Sequence, residues 1–302
     1  MIVLSLPGSE PLGIGNKLAE ELGVREFKVY SKTFPDGETY VRITDVEKLS
    51  RDEVLIIQTF YPDQNTRIME FLLTLDALRE VGINEVKAII PYLAYTRQDK
   101  IFLKGEPISI RAILNIFYDL GVREIYTIDV HSPKILEYFK GRLHNIIPSE
   151  LFAKRLRDMV ELDKTLIVAP DEGAKERARL LSKALDTEYV VIKKYRDRVT
   201  GEIRHELPKD LYVRGRHIVI VDDIISTGGT LASIARFVRS LGAKEVVAVA
   251  SHGLFVGNAL VKLRNSGISR IILIKTVPPI SNPLLEYLDP TKLFVEVIQS
   301  RR

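Results

Sequence analysis

The sequence predicts an α/β protein of mainly parallel sheets flanked by helices, arranged as two similar halves. Three observations predict it. Short apolar runs bounded by turns recur along the chain, amphipathic stretches lie between most of them, and the runs are apolar on both faces. A strand buried on both faces belongs to a parallel sheet covered by helices. In order, strands are expected at Ile2–Leu6, Val54–Thr59, Val86–Pro91, Ile125–Asp129, Leu166–Ala169, Tyr189–Ile192, Ile218–Val221, Val246–Ala250 and Ile271–Ile274. Amphipathic stretches fall on Arg67–Val81, Ser109–Leu120, Glu150–Val160, Arg177–Leu185 and Ala259–Asn265. In such sheets ligands bind beyond the carboxyl ends of the strands.

The halves look like a diverged repeat. LGVREIYTIDVHS (Leu120–Ser132) is echoed by LGAKEVVAVASHG (Leu241–Gly253), each with a helix-end Leu-Gly, a polar pair, a strand and a histidine. A boundary in the HNIIPS stretch gives domains 1–146 and 147–302. With 302 residues, 46% apolar and 28% charged, each half can bury a core. The net charge of +4 is mildly favourable to phosphorylated small molecules and is not the concentrated basic face of a nucleic-acid binder. The opening MIVLSLPGSEPLG carries neither signal-peptide nor membrane-span character. Cysteine is absent, which excludes a thiolate nucleophile and a Cys-based zinc site. The expectation is a cytoplasmic protein with no membrane and no nucleic-acid partner.

The most informative stretch is VIVDDIISTGGT, Val219–Thr230. An apolar strand meets two carboxylates, Asp222 and Asp223, and then the turn Ser226-Thr227-Gly228-Gly229-Thr230. Leu231, Ile234, Ala235, Val238 and Leu241 follow at helical spacing, so the turn sits at a helix N-terminus. Free N–H groups and the positive dipole end favour a phosphate there, and the hydroxyls add donors. The acid pair suits ribose hydroxyls or a bound Mg²⁺. The strand–acid pair–STGGT–helix order resembles the phosphoribosyl-diphosphate loop of type I phosphoribosyltransferases.

Five further patterns stand at strand ends or in loops: FPDGET from Phe34, PYLAYTRQD from Pro91, DVHS from Asp129, APDEGA from Ala169 with Arg177 beyond it, and KKYR from Lys193. Together with the phosphate loop they resemble, in order and over nearly the whole chain, the ribose-phosphate diphosphokinase (PRPP synthetase) family. The resemblance implies two tandem type I phosphoribosyltransferase-like domains, ATP held mainly by the first and ribose 5-phosphate by the second, with the active site between them and a dimer-based homo-oligomer. It also implies a reaction, ATP plus ribose 5-phosphate giving PRPP and AMP with Mg²⁺ required.

By that resemblance Phe34, Asp36, Gly37, Glu38, Arg97 and Gln98 bind ATP, and His131 and Asp171 are the metal ligands. Lys194 and Arg196 are the catalytic pair on a basic flap, with Lys193 an alternative to Lys194. Asp222 and Asp223 take the ribose hydroxyls, and Ser226, Thr227, Gly228, Gly229 and Thr230 the 5-phosphate, with Arg196 also on that substrate. The chemistry of the residues agrees. A guanidinium binds phosphate or stacks on a base, an amide reads a purine edge, and imidazole with carboxylate can hold Mg²⁺. The chain departs from the family at Ala174, where a second glycine is usual, at Tyr195, and at Ser226, where many members carry Asp. The apolar Ile101-Phe102-Leu103 and the short C-terminal end point to altered ADP control. Two rivals are a non-catalytic partner of a true synthetase and a PRPP-consuming transferase or PRPP-sensing regulator.

Overall fold

The computed structural model describes residues 1–49, 53–196, 203–206 and 212–300, with the backbone alone for 194–196 and 203–206. Two compact units divide the chain. The first comprises Met1–Ile146, Lys275–Pro279 and Asp289–Arg302, the second Ile147–Ile274 and Ile280–Leu288.

In the first unit the elements run β1 (Ile2–Ser5), α1 (Ile14–Leu22), β2 (Glu26–Thr33), β3 (Thr39–Ile43), β4 (Val54–Ile57), α2 (Gln64–Glu80), β5 (Val86–Ile90), α3 (Ser109–Asp119), β6 (Val122–Ile128) and β7 (Arg142–Ile146). They form one sheet in the order β3-β2-β1-β4-β5-β6-β7. All its pairings are parallel except β2 with β3. Val54–Ile57 is fully buried, as the unbroken apolar run predicts for a strand covered on both faces. The antiparallel hairpin was not among the expected strands. β2 alternates buried and exposed residues over its first half, the pattern of a strand with one wet face.

The second unit holds α4 (Ser149–Arg157), β8 (Thr165–Ala169), α5 (Lys175–Leu185), β9 (Glu188–Val191), the pair β10 (Lys193–Arg196) and β11 (Ile203–Glu206), then β12 (His217–Ile225), α6 (Gly229–Ser240), β13 (Glu245–Gly253), α7 (Ala259–Arg264), β14 (Arg270–Ile274) and β15 (Leu285–Leu288). Its sheet runs β15-β14-β13-β12-β8-β9 and is parallel throughout. β10 and β11 form a separate antiparallel ladder.

Three expectations are corrected. The sequence reading gave all of 147–302 to the second domain, yet the last helix, α8 (Thr291–Gln299), packs on α1 of the first unit. Its buried Phe294, Val295 and Ile298 supply the apolar face, and Lys17 ion-pairs with Asp289 just before it. β12 does not stop at Val221 but continues through the acid pair to Ile225, because β13 offers ladder partners to its end. The echo of β6 in β13 joins strands of unlike position. In order along the chain and place in the sheet, β13 corresponds to β5, and the segment Val81–Ile90 matches Leu241–Ala250 with Gly82 and Gly242 both left-handed, at φ 84° and 88°.

Candidate active site

Both sheets reverse their strand order once. The reversal lies between β8 and β12 in the second unit and between β1 and β4 in the first. An open α/β sheet binds ligands outside the carboxyl ends of its strands at such a point.

In the second unit the sequence-predicted residues gather there. Asp222 and Asp223 lie on β12, and Asp171 follows β8. Asp223 is 5% exposed and its backbone N–H donates to Asp222 Oδ1 at 3.0 Å. Burial and the adjacent Asp223 carboxylate push the Asp222 carboxyl well above its ordinary range, with Asp171 adding to the repulsion. The Arg177 guanidinium, 9% exposed, lies 3.7 Å from Asp223 Oδ2 and donates to the Gly173 carbonyl at 3.0 Å. It ties the Asp171–Ala174 loop to the acid pair. Asp171 caps that loop by accepting from the Ala174 N–H at 3.3 Å. Ala174 has φ −90°, a conformation open to any L-residue, so this chain has no backbone need for the family's second glycine there.

The Ser226–Thr230 turn leads into a helix, as the helical spacing after it indicates. Gly228 is the cap residue before α6 with φ 70°, and an added Cβ would stand 3.0 to 3.3 Å from the Leu263 side chain. Glycine is required here by conformation and by space. Thr227 and Gly229 are exposed and Ser226 and Thr230 half-buried, so hydroxyls and N–H groups face outward at the helix start.

In the first unit the predicted residues stand apart. Phe34, Asp36, Gly37 and Glu38 form the β2–β3 turn, closed by the Phe34 N–H to the Glu38 carbonyl at 2.8 Å. Asp36 Oδ1 accepts from the Glu38 N–H, and Lys32 Nζ lies 4.7 Å from the centre of the Phe34 ring. Arg97, exposed, and Gln98, half-buried, follow β5. β1 and β4 separate β2 from β5 in the sheet. His131 follows β6 and is exposed, next to the buried Asp129 at φ 47°. Gln98 Oε1 accepts from the Ser109 hydroxyl at 2.6 Å. Sequence reasoning missed Ser109, for no local pattern links residues 11 apart across a loop.

The side chains of Lys194 and Arg196 lie outside the described residues. Their backbone is on β10, where Lys194 pairs with His205. Among the described residues no three His, Asp or Glu side chains are gathered as a metal cage. A cavity of about 480 Å³ in the first unit is not the site. It opens at the amino ends of the strands, and its Lys87 and Arg142 both pair with Glu124. Burial raises the Glu124 carboxyl, but hydrogen bonds from Arg142 and Tyr126 outweigh it and hold the group down to about 2.

The family model for the N-terminal domain of ribose phosphate pyrophosphokinase matches residues 1–121, and that for the phosphoribosyl transferase domain matches residues 137–273. The chain is 40% identical to the ribose-phosphate pyrophosphokinase of Sulfurisphaera tokodaii over 98% of its length and 96% of the relative's. Against the Pyrococcus abyssi protein of the same name identity is 42%, over 88% of this chain and 91% of the other. The crystal structure of phosphoribosylpyrophosphate synthetase from Mycobacterium smegmatis superposes with a TM-score of 0.88 at 26% identity, covering 99% of this chain and 98% of that one.

Proposed function

The chain belongs to the ribose-phosphate pyrophosphokinase family, and on that premise we propose that it transfers the diphosphate of ATP to the anomeric hydroxyl of ribose 5-phosphate, giving PRPP and AMP in an Mg²⁺-dependent reaction that feeds nucleotide biosynthesis. The observation that carries this reading is the β12–α6 junction. An acid pair, Asp222 half-buried and Asp223 buried, lies near the carboxyl end of β12 at the sheet's switch point, and a left-handed glycine opens the next helix beside hydroxyl-bearing residues. Diol acceptors and a phosphate cradle, held a few residues apart, fit the two polar ends of ribose 5-phosphate.

The anomeric oxygen forms a bond to the β-phosphorus of ATP. The bond from that phosphorus to the oxygen shared with the α-phosphate breaks, AMP leaves with that oxygen, and the anomeric proton passes to solvent. Asp222 and Asp223 hold the ribose hydroxyls, and Ser226–Thr230 the 5-phosphate. Phe34, Asp36, Gly37, Glu38, Arg97 and Gln98 hold ATP. Lys194 and Arg196 stabilise charge developing on the transferred group, and Arg196 also meets ribose 5-phosphate. In-line positioning and charge neutralisation are the main demands of phosphoryl chemistry.

His131 and Asp171 hold the Mg²⁺ in this reading, through an exposed imidazole and an exposed carboxylate. Asp171, Asp222 and Asp223 bring three carboxylates to this end of the sheet, and the repulsion that Asp223 and Asp171 add to the burial of Asp222 is the kind a nearby cation relieves. When bound, the ion neutralises phosphate oxygens and orients them. Assembly as a dimer-based homo-oligomer in the cytoplasm belongs to the same reading. No helix among the described residues is long and apolar enough to cross a membrane.

The test is to incubate the protein with ATP, ribose 5-phosphate and Mg²⁺ and to resolve the nucleotides by chromatography. AMP forming only with ribose 5-phosphate present is the expected result. ADP would mean ordinary kinase chemistry, and no turnover despite ATP binding would leave a regulatory partner.

A further inference from the structure

We infer that Asn145 is a positioning residue: it fastens the left-handed turn at the end of β6 that brings His131 to the surface. The inference rests on the proposed reading of His131 as a metal ligand.

β6 ends at Ile128, and the next residue, Asp129, is 2% exposed with φ 47°. A left-handed backbone at a buried residue other than glycine is uncommon, and it persists where the surrounding structure holds it. Two bonds from β7 do so. The Asp129 N–H donates to the Ile146 carbonyl at 3.0 Å, and the Val130 N–H donates to Asn145 Oδ1 at 2.9 Å. The second bond has only one possible sense. A backbone N–H can only donate, and the Asn145 amide has a single acceptor, so its oxygen is the end engaged. Asn145 stands opposite Thr127 in the β6–β7 ladder, and its side chain reaches forward into the turn. Val130 is 4% exposed, and His131 is the first residue of the turn to be exposed.

The neighbouring strand repeats the arrangement. In the loop after β5, which pairs with β6, Tyr95 is left-handed at φ 65°, Thr96 is 7% exposed and Arg97 is exposed. The Tyr95 hydroxyl hydrogen-bonds the Asn65 side chain on α2. Left-handed, then buried, then exposed is the order after both strands, with an asparagine from another element tied to each turn. The exposed residue is in each case one proposed to meet ATP or its metal ion. A backbone held in a costly conformation beside such a group sets its position before the ligand arrives, which lowers the cost of binding.

The experiment is a calorimetric titration of the protein with ATP, once with Mg²⁺ and once with EDTA, without ribose 5-phosphate. Asn145→Ala is expected to raise Kd for ATP with Mg²⁺ about fivefold, the scale of one neutral hydrogen bond, and to leave Kd in EDTA unchanged. A general loosening of the domain would weaken both. Asn145→Leu keeps the shape without an acceptor and gives the same loss, so the test stands even where the alanine variant fails to fold. Asn145→Asp keeps the oxygen and restores the wild-type Kd. In a His131→Ala background the Asn145→Ala change adds nothing further, because the group it acts through is gone. Additive losses would overturn the proposal, as would an equal loss in EDTA, or wild-type binding by Asn145→Ala while His131→Ala binds more weakly. If His131→Ala itself binds ATP with Mg²⁺ as tightly as the wild type, His131 is not a metal ligand. That result sinks the reading beneath the proposal, and the proposal with it.

Discussion

The two switch points share a topology and differ in what occupies them. Between β8 and β12 the crevice is open to chemistry, with two carboxylates on the strand and a neutral, hydroxyl-bearing turn leading into α6. Between β1 and β4, in the corresponding place, protein fills it. Gln58 follows β4, is fully buried, and donates to Glu70 Oε2 at 2.8 Å. The Glu70 carboxylate, 3% exposed, also takes both bonds from Arg67 Nη1, at 2.8 and 2.9 Å. Gly8 follows β1 so closely that an added Cβ would stand 2.6 Å from Gln58 Oε1. The Thr59 hydroxyl donates to the Thr276 carbonyl at 2.6 Å, which closes the site with a returning piece of chain. The cap residue of α2 is Asp63 at φ 57°, left-handed like Gly228 but carrying a negative charge at the helix start, where an anion would be repelled. One fold therefore yields an open, polar crevice or a packed joint, according to a few residues at the strand ends.

The largest expected effect is at the open crevice. Asp223→Ala removes a ribose contact in the proposed reading and leaves Arg177 facing a void. A drop in kcat/KM for ribose 5-phosphate of about 10³, with folding intact by circular dichroism, is expected. Activity within a factor of a few of wild type would refute the assignment of the acid pair.

At the filled crevice the effect should fall on stability instead. Glu70→Ala strands the Arg67 guanidinium and the Gln58 amide, and breaking a buried pair from one side costs about 3 kcal/mol. The expected outcome is a clear loss of Tm with kcat unchanged at temperatures where the variant remains folded. A kcat loss matching that of Asp223→Ala would mean the first crevice is not merely packed.

These contrasts mark what the sequence shows and what it hides. The strand–turn–helix junction at Val219–Thr230 was legible because one contiguous stretch carries strand, acids, turn and helix, and the apolar strands because burial on both faces leaves an unbroken run. The filled crevice was not legible. Gln58, Arg67 and Glu70 read as an ordinary strand end and helix face until Gly8 is brought against them from 50 residues away. The extension of β12 through Asp222–Ile225 was hidden for the same reason. Polar residues look like a strand's end unless the ladder offered by β13 is known. α8 was assigned by position to the second half, whereas its apolar face matches α1 of the first.

A smaller effect is expected from the cap positions. Gly228→Ala forces a methyl into a left-handed residue beside Leu263, at about 1 to 2 kcal/mol, and raises KM for ribose 5-phosphate about tenfold by displacing the turn. The counterpart change, Asp63→Gly, relieves the same conformation and should alter stability by less than about 1 kcal/mol without affecting KM for ribose 5-phosphate. Equal kinetic effects of the two changes would break the contrast between the crevices.

The smallest expected effect has the opposite sign. Asp222 is pushed up by burial and by Asp223, so the folded protein binds its proton more tightly than the unfolded chain does. A group raised in the folded state gives its full stability below the unfolded value. That contribution falls as pH rises through the folded one, so toward neutral pH the crowded acid pair weighs against folding. Asp222→Asn removes the repulsion and should raise Tm at neutral pH, on the order of 1 kcal/mol, with a gain that shrinks as pH falls toward the ordinary carboxylate range. The same variant should lose activity, since the amide replaces a carboxylate acceptor for the ribose hydroxyls. Stability gained with function lost is what an open site predicts, for its charges are held in readiness for a ligand. In the filled crevice Glu70 already has its cation, so Glu70→Gln should lower Tm at the same pH. If Asp222→Asn lowered Tm as well, the second crevice would be a satisfied polar joint like the first, and the acid pair would lose its claim to a ligand.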